Sequence, residues 1–276
     1  MIPNSVLFCA GLAGIACAVL PAAAALWLHK KKGATTSAFF WGCGMYLILT
    51  ITLGSTLSSL LGLLPITDAL WFTVLTSSLL AVLNSISRFT AFHWAMKDDR
   101  SPENGLAFGA GLGWLDALLM LALELVFIAA IGTAYNRDPA AFAEFTADKN
   151  FAATIAQLQN VSAGTLLVNG AERLTAVAMQ MALCFLAMTG TTRRRPLLSW
   201  AAFGLEAACL CLSTWLSALT QSALLSLAVR VVFTAAAVLL ARYSKKIWEE
   251  TDAPITGASA GKTQTWNAPL RRRPLD

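Results

Sequence analysis

The feature that most constrains this chain is a series of seven long apolar runs. They occupy residues 5–28, 38–63, 68–94, 105–133, 163–189, 197–218 and 222–243. A helix rises 1.5 Å per residue, so about 20 apolar residues cross the roughly 30 Å hydrocarbon core of a bilayer. Each run is long enough to do so. We therefore predict an all-α fold, a polytopic transmembrane bundle of about seven helices.

The composition supports this prediction and excludes a nucleic-acid partner. Hydrophobic residues make up 57% of the chain and charged residues 13%, whereas soluble domains are about 45–50% apolar and about 25% charged. The formal charge of +5 would suit nucleic acid, but the positions of the basic residues follow membrane topology instead. The first partner that the sequence predicts is the lipid bilayer itself.

The basic residues also predict the orientation. They follow the first, third, fifth and seventh apolar runs, as Lys30, Lys31, Lys32, then Lys97, Arg100, then Arg193, Arg194, Arg195, and finally Arg242, Lys245, Lys246. The other connections are poor in base. Because cytoplasmic loops carry the excess of Lys and Arg, we expect the N-terminus outside and the C-terminus in the cytoplasm.

The chain divides into one membrane domain and one tail. We assign residues 1–250 to the seven-helix domain, which includes an extracytoplasmic loop at 134–162. Residues 251–276 are rich in Pro, Gly, Ala and Thr, a composition that buries too little apolar surface to fold. They are predicted to form a disordered cytoplasmic tail.

Several charged residues fall inside the apolar runs, where charge is costly and normally faces the bundle interior. Counting 1.5 Å per residue brings five of them near the midplane, namely Asp116, Glu172, Arg173, Glu206 and Arg230, with Arg88 closer to the cytoplasmic face. Such charges should form a mutually paired polar core. Two interpretations are open: an ion-pair network that orients the helices, or a site for a proton, a metal or the polar backbone of a substrate.

A ladder of glycines lies on the fourth run. Gly105, Gly109 and Gly113 recur at every fourth position and so share one helix face. A face of small residues admits another helix at close range. Asp116 lies on nearly the same face, so whatever packs on this groove is expected to lie beside the polar core.

The histidine count argues against a hydrolytic zinc site. The chain has two histidines, His29 and His93, and both fall at cytoplasmic helix ends. A hydrolytic zinc site usually needs at least two imidazoles and an open position for water. The HExxH, GxSxG and Walker A patterns are also absent from the sequence. We predict neither a bound metal nor a cofactor.

Three stretches carry a family resemblance. Residues 84–97, residues 105–116 and the sequence Glu172-Arg173-Leu174-Thr175-Ala176 resemble the YhfC family of intramembrane metalloproteases. The glycine ladder and the basic loop at 193–195 are also similar to the Aph subunit of gamma-secretase, a related non-proteolytic scaffold. The resemblance implies a multi-pass protein of the bacterial cytoplasmic (inner) membrane.

The departures from that family fall at its functional positions. The family's Glu-Glu pair falls at Asn84 and Ser85, its fourth-helix histidine and glutamate at Leu112 and Asp116, its fifth-helix histidine at Gln180, and its sixth-helix histidine at Glu206. Arg88, the glycines and Glu172-Arg173 are retained. The resemblance therefore implies a pseudoprotease, and the independent histidine count agrees.

The leading hypothesis is a non-catalytic, or at most weakly catalytic, membrane protein that holds a transmembrane helix of a partner, with the glycine face as the contact. The first alternative is a metallopeptidase with a carboxylate-rich site of Asp116, Glu172 and Glu206 with Gln180, which would suit Mn²⁺ or Mg²⁺ better than zinc. The second is a transporter whose midplane acids carry protons or ions. The sequence has no inverted repeat or matching pair of helix breaks, which weakens the transporter hypothesis.

Overall fold

Seven long helices make up most of the structure. The computed structural model describes residues 1–63, 68–142, 149–220 and 222–252, and within these ranges it contains helices and no strand. Those long and apolar enough to cross a membrane are α1 (Asn4–Lys32), α2 (Thr36–Leu61), α3 (Leu70–Ala95), α4 (Pro102–Arg137), α5 (Ala163–Thr192), α6 (Pro196–Thr220) and α7 (Ala223–Lys246). The predicted all-α, polytopic transmembrane bundle is confirmed.

Local sequence signals mark several helix ends. The Ser101 side chain accepts a hydrogen bond from the Asn104 backbone N–H at the start of α4, at 3.1 Å. Such a cap satisfies an N–H group that the first turn leaves unpaired. α4 therefore begins at Pro102 rather than at the predicted residue 105. α1 ends at Lys32 and is followed by Gly33, whose φ of 72° is the left-handed conformation that glycine adopts without steric cost.

Three of the spans contain π-helical segments, Tyr46–Leu53 in α2, Ala91–Ala95 in α3 and Leu118–Ala122 in α4. A π segment widens the helix by one residue per turn and shifts the direction of the side chains that follow, and it often lies at a functional site. The segments of α2 and α4 begin at Tyr46 and two residues after Asp116. In α4 the irregular backbone thus lies next to Asp116, one of the predicted charged residues. In α2 it begins at Tyr46, whose hydroxyl donates a hydrogen bond to Asp116.

α5 is the central helix of the bundle. α1, α4, α6 and α7 all pack against it. In its most apolar 18-residue window, 61% of the residues are buried, compared with at most 39% in any other span. Side chains on α5 can therefore reach four neighbouring helices.

The glycine face of α4 packs against α5 of the same chain. A Cβ atom added at Gly109 would lie 2.6 Å from the Gln180 carbonyl oxygen and 2.6 Å from the Met181 Cα. One at Gly113 would lie 2.9 Å from the Val177 Cα, and one at Gly105 3.0 Å from the Met188 Cβ. This corrects the sequence hypothesis for the groove, because an internal helix already occupies the face expected to receive a partner helix.

A short helix, Lys149–Asn160, lies between α4 and α5. Its Ile155 is buried in an apolar cluster with Val6 and Leu7 of α1 and Leu166 of α5. This short helix therefore packs against the first turns of α1 and α5.

The last helix is assigned as far as Asp252. Residues 253–276, which make up nearly all of the predicted tail, lie outside the described residues. The division into a membrane domain and a disordered tail stays a prediction.

Candidate functional site

Six charged residues inside the spans form three ion pairs in the part of the chain that the structure describes. The closest N–O distances are 2.7 Å between Arg88 and Glu206, 3.1 Å between Arg173 and Asp116, and 2.6 Å between Arg230 and Glu172. The structure thus brings together all six residues as pairs, and each pair joins two different helices. They do not share one common cluster, because adjacent residues such as Glu172 and Arg173 point about 100° apart around α5.

The most deeply buried pair belongs to a cluster of four polar side chains from α3, α5 and α6. We call Asn84, Arg88, Gln180 and Glu206 the carboxylate cluster. Its hydrogen bonds run from Arg88 Nη2 to Gln180 Oε1 at 2.6 Å, from Gln180 Nε2 to Glu206 Oε1 at 2.7 Å, and from Asn84 Nδ2 to Glu206 Oε1 at 2.9 Å. The Arg88 and Glu206 side chains are 3% and 1% exposed.

Chemical complementarity explains this arrangement. A carboxylate only accepts hydrogen bonds and a guanidinium only donates them, so the Gln180 amide turns its nitrogen to Glu206 and its oxygen to Arg88. Asn84 and Arg88 are four residues apart on α3 and therefore lie on one face, towards Glu206. A buried ion pair is stable only when hydrogen bonds also satisfy its remaining polar atoms. The two amides serve Glu206 in this way.

A second site surrounds Asp116. Its Oδ1 accepts a hydrogen bond from the Tyr46 hydroxyl at 2.8 Å, and its Oδ2 accepts one from Arg173 Nη1 at 3.1 Å. Asp116 and Arg173 are 27% and 35% exposed, because both line a cavity of about 530 Å³ between α2, α3, α4 and α5. Hydroxyl groups of Thr50, Ser55, Ser58, Thr76 and Ser77 also line this space, which we call the Asp116 cavity.

Tyr46 and Thr50 were not identified from the sequence. Thr50 donates a hydrogen bond to Asn84 Oδ1 at 3.2 Å, so it connects the Asp116 cavity to the carboxylate cluster. The signal for Tyr46 was present in the sequence, since of the three tyrosines it alone falls well inside an apolar run. A phenol at that depth normally needs a hydrogen-bond partner.

The third pair ties α7 to the central helix. Glu172 Oε1 accepts hydrogen bonds from Arg230 Nε at 2.6 Å and from the Ser226 hydroxyl at 3.0 Å. The pair lies beside a cavity of about 430 Å³ whose lining includes Asn169 and Ser213. Its position between α5 and α7 separates it from the other two sites.

The family positions do not fit a catalytic zinc ion. Leu112 is 1% exposed in an apolar cluster with Phe108 and Met188. The two acids at these positions, Asp116 and Glu206, each contact a guanidinium, which would repel a dication. Among the described residues, no group of three or more His, Cys, Asp or Glu side chains is close enough to hold a metal ion.

Comparison with known proteins gives one family. The model of the family described as YhfC intramembrane metalloprotease matches residues 16–243. The chain is also 25% identical over 196 residues to the uncharacterized membrane protein YhfC of Bacillus subtilis (strain 168), an alignment that covers 67% of this chain and 75% of the relative. No solved structure matches.

Proposed function

The chain belongs to the YhfC intramembrane metalloprotease family, and we propose that it is a non-catalytic member, a pseudoprotease that binds a membrane-embedded segment of another membrane protein. We place it in the bacterial cytoplasmic membrane. The observation that carries the proposal is the pairing of Glu206 with Arg88 and the two amides, at positions where the family resemblance implies metal ligands.

A hydrolytic metal centre needs several ligand atoms with free lone pairs and one open position for water. Glu206 Oε1 already accepts two hydrogen bonds, and its Oε2 contacts Arg88 at 2.7 Å. Asn84 and Gln180 are amides, and Ser85 and Leu112 are not ligands that hold zinc in proteins. The side chains of Asn84, Gln180 and Glu206 are used to stabilise one another and Arg88, which supports an architectural role.

The glycine face of α4 cannot receive the partner segment, because α5 fills it. The Asp116 cavity is the better candidate. It adjoins a family position, and its phenol, carboxylate, guanidinium and hydroxyl groups offer both donors and acceptors within the span of the helices. A transmembrane segment that leaves the helical conformation needs such groups, since lipid cannot satisfy its backbone N–H and C=O groups.

The first experiment tests the absence of metal chemistry. The purified chain, expressed in medium supplemented with Zn²⁺ and Mn²⁺, is expected to contain well below one metal ion per chain. Asp116→Ala and Glu206→Ala variants should have the same metal content. Stoichiometric metal that is lost in either variant, or cleavage of a membrane-embedded peptide by the pure protein, would contradict the proposal.

The second experiment tests the binding site. A photo-crosslinking amino acid is introduced at Ser58 or at Met120, both of which line the Asp116 cavity, and irradiated in living cells. We expect one discrete protein adduct from both positions. Ile48 is the matched control, because it lies on the same helix as Ser58 but is 63% exposed outside the cavity. An identical adduct from Ile48, or none from either cavity position, would count against a partner in this cavity.

A further inference from the structure

A second large cavity lies on another side of α3. It is about 750 Å³ in volume and is enclosed by α3, α6 and the last turns of α5, a size within the range of small-molecule sites in proteins. Its lining includes Ser85, Arg88, Phe89, Arg194, Trp200 and Phe203. We call it the α3–α6 cavity. None of the residues described above as lining the Asp116 cavity is shared with it.

The polar end of this cavity contains buried donors without acceptors. Arg88 Nε and Nη1 and the Ser85 hydroxyl are inaccessible to solvent and have no hydrogen-bond partner among the described residues. The Arg88 side chain is 3% exposed, and only its Nη2 contacts Gln180 and Glu206, the other residues of the carboxylate cluster in its reach. The Cys184 thiol also faces the guanidinium, but sulfur is a weak acceptor. Native proteins rarely leave buried donors unpaired, and an oxygen atom of a ligand in this cavity would supply the acceptor.

The opening of the cavity combines positive charge with an apolar, lipid-facing wall. Arg194 and His93 lie at the end where α3 and α5 leave the membrane. Arg194 has a φ of 53°, an unusual conformation for a residue other than glycine. Phe89 and Trp200 are 58% and 68% exposed, so the cavity opens sideways towards the bilayer. An occupant therefore needs an anionic head and an apolar chain.

The depth of the donors fits one class of molecule. Arg88 precedes His93 by five residues, which places it about 7 Å deeper along the helix. The interfacial layer of a bilayer is roughly 5–8 Å thick on each side, and the ester carbonyl groups of a phospholipid lie beneath its phosphate. A transmembrane helix would not suit the site equally well, because its backbone carbonyl groups are already hydrogen-bonded within the helix.

We propose that the α3–α6 cavity binds one acidic phospholipid from the leaflet on the Arg194 side. Its phosphate contacts Arg194, its ester carbonyl oxygens lie against Arg88 and Ser85, whose unpaired donors turn towards them as the lipid enters, and one acyl chain lies along Phe203 and Trp200. This site goes beyond the proposed partner binding. The two can fail separately, because lipid binding is measured without any protein partner.

The test uses the purified full chain in nonionic detergent and measures lipid binding by native mass spectrometry. Phosphatidylglycerol is expected to bind at one molecule per chain, about tenfold more tightly than phosphatidylcholine, because both lipids carry the phosphate but the choline cation of the second would lie beside Arg194 and be repelled by it. Arg194→Gln should remove most of that preference. Lys30→Gln, at the end of α1, is the matched control, because it removes one basic residue outside the cavity and should keep the preference. Ile86→Trp should narrow the cavity from a position that is 43% exposed.

Ile48→Trp, at a bilayer-facing position outside the cavity, is the matched control for Ile86→Trp and should leave binding unchanged. Equal affinity for the two lipids, or full binding by Ile86→Trp, would overturn the proposal. So would displacement of the lipid by inorganic phosphate alone, since the site would then recognise a free anion. Loss of the preference in Lys30→Gln to the same extent as in Arg194→Gln would also refute it.

Discussion

At the scale of residues, Glu206 is the most deeply buried acid in the part of the chain that the structure describes. Its side chain is 1% exposed, and three side chains donate to it or pair with it. Asn84 and Gln180 supply neutral donors and Arg88 supplies the countercharge. Each of these contacts stabilises a charge that would otherwise be very unfavourable inside a membrane. The cluster therefore links α3, α5 and α6 through one ion pair and three hydrogen bonds.

We predict that Glu206→Gln destabilises the protein by about 3–5 kcal/mol, because it leaves the buried Arg88 charge without its partner. The free energy of unfolding is measured by titration with denaturing detergent. Glu172→Gln is the matched control, since the same change breaks a pair whose side chains are 14% and 20% exposed, and it should cost less. A Glu206→Gln protein as stable as the parent would show that the pair is unimportant for the fold.

At the scale of elements, α5 connects the sites. Arg173 and Gln180 are seven residues apart, or two turns, so they lie on one face about 10 Å from each other. Arg173 contacts Asp116 of α4, and Gln180 contacts both α3 and α6. Glu172, on another face, contacts Arg230 of α7. One helix therefore carries a polar contact to four others, and the glycines of α4 let α4 and α5 approach each other closely.

We predict that Gly109→Ala destabilises the bundle by about 1–3 kcal/mol, the usual range for overpacking. The added Cβ would lie 2.6 Å from backbone atoms of α5, and backbone atoms cannot move aside as a flexible side chain can. Gly44→Ala on α2 is the control, because no atom lies within 4 Å of the Cβ it adds. That variant should be unchanged or slightly more stable.

Both variants are heated in detergent and then examined by size-exclusion chromatography. The temperature at which half of the monodisperse protein is lost measures the effect of each substitution. Equal midpoints for Gly109→Ala and Gly44→Ala would mean that the groove is open rather than filled. In that case the glycine face would again be a candidate for partner binding.

At the scale of the whole molecule, two cavities of different chemistry border α3. The Asp116 cavity is lined by hydroxyl groups and an ion pair, whereas the α3–α6 cavity has aromatic walls and a basic opening. The carboxylate cluster lies between them, joined to the first through Thr50 and contributing Arg88 to the second. The buried carboxylate cluster thus has a separate cavity on each side.

The basic residues predict which face of the molecule is cytoplasmic. Alkaline phosphatase inserted after Asp138 should be active, because the enzyme folds only outside the cytoplasm, and a fluorescent protein fused to the C-terminus should fluoresce. An insertion after Gly33, beside the lysines that end α1, should give inactive phosphatase. Activity at Gly33 together with inactivity at Asp138 would reverse the predicted orientation.

The sequence alone determined the class of fold and the residues to examine. Hydrocarbon accepts only segments of about 20 apolar residues whose backbone groups are all paired, so the number of helices follows from local composition. Because charge is rare at that depth, Arg88, Asp116, Glu172, Arg173, Glu206 and Arg230 stood out without a structure. The family resemblance then pointed to Asn84, Ser85, Leu112 and Gln180.

Only the tertiary structure decided which of these residues meet. Whether Arg88 pairs with Glu206 or Asp116, and whether Gly109 receives α5 or a foreign helix, depends on how each helix is rotated and shifted against its neighbours. That arrangement depends on packing between segments far apart in the chain, such as residues 88 and 206. The pattern of apolar residues within one helix therefore cannot predict it. The same packing made Tyr46 a partner of Asp116 and created the cavities on either side of α3.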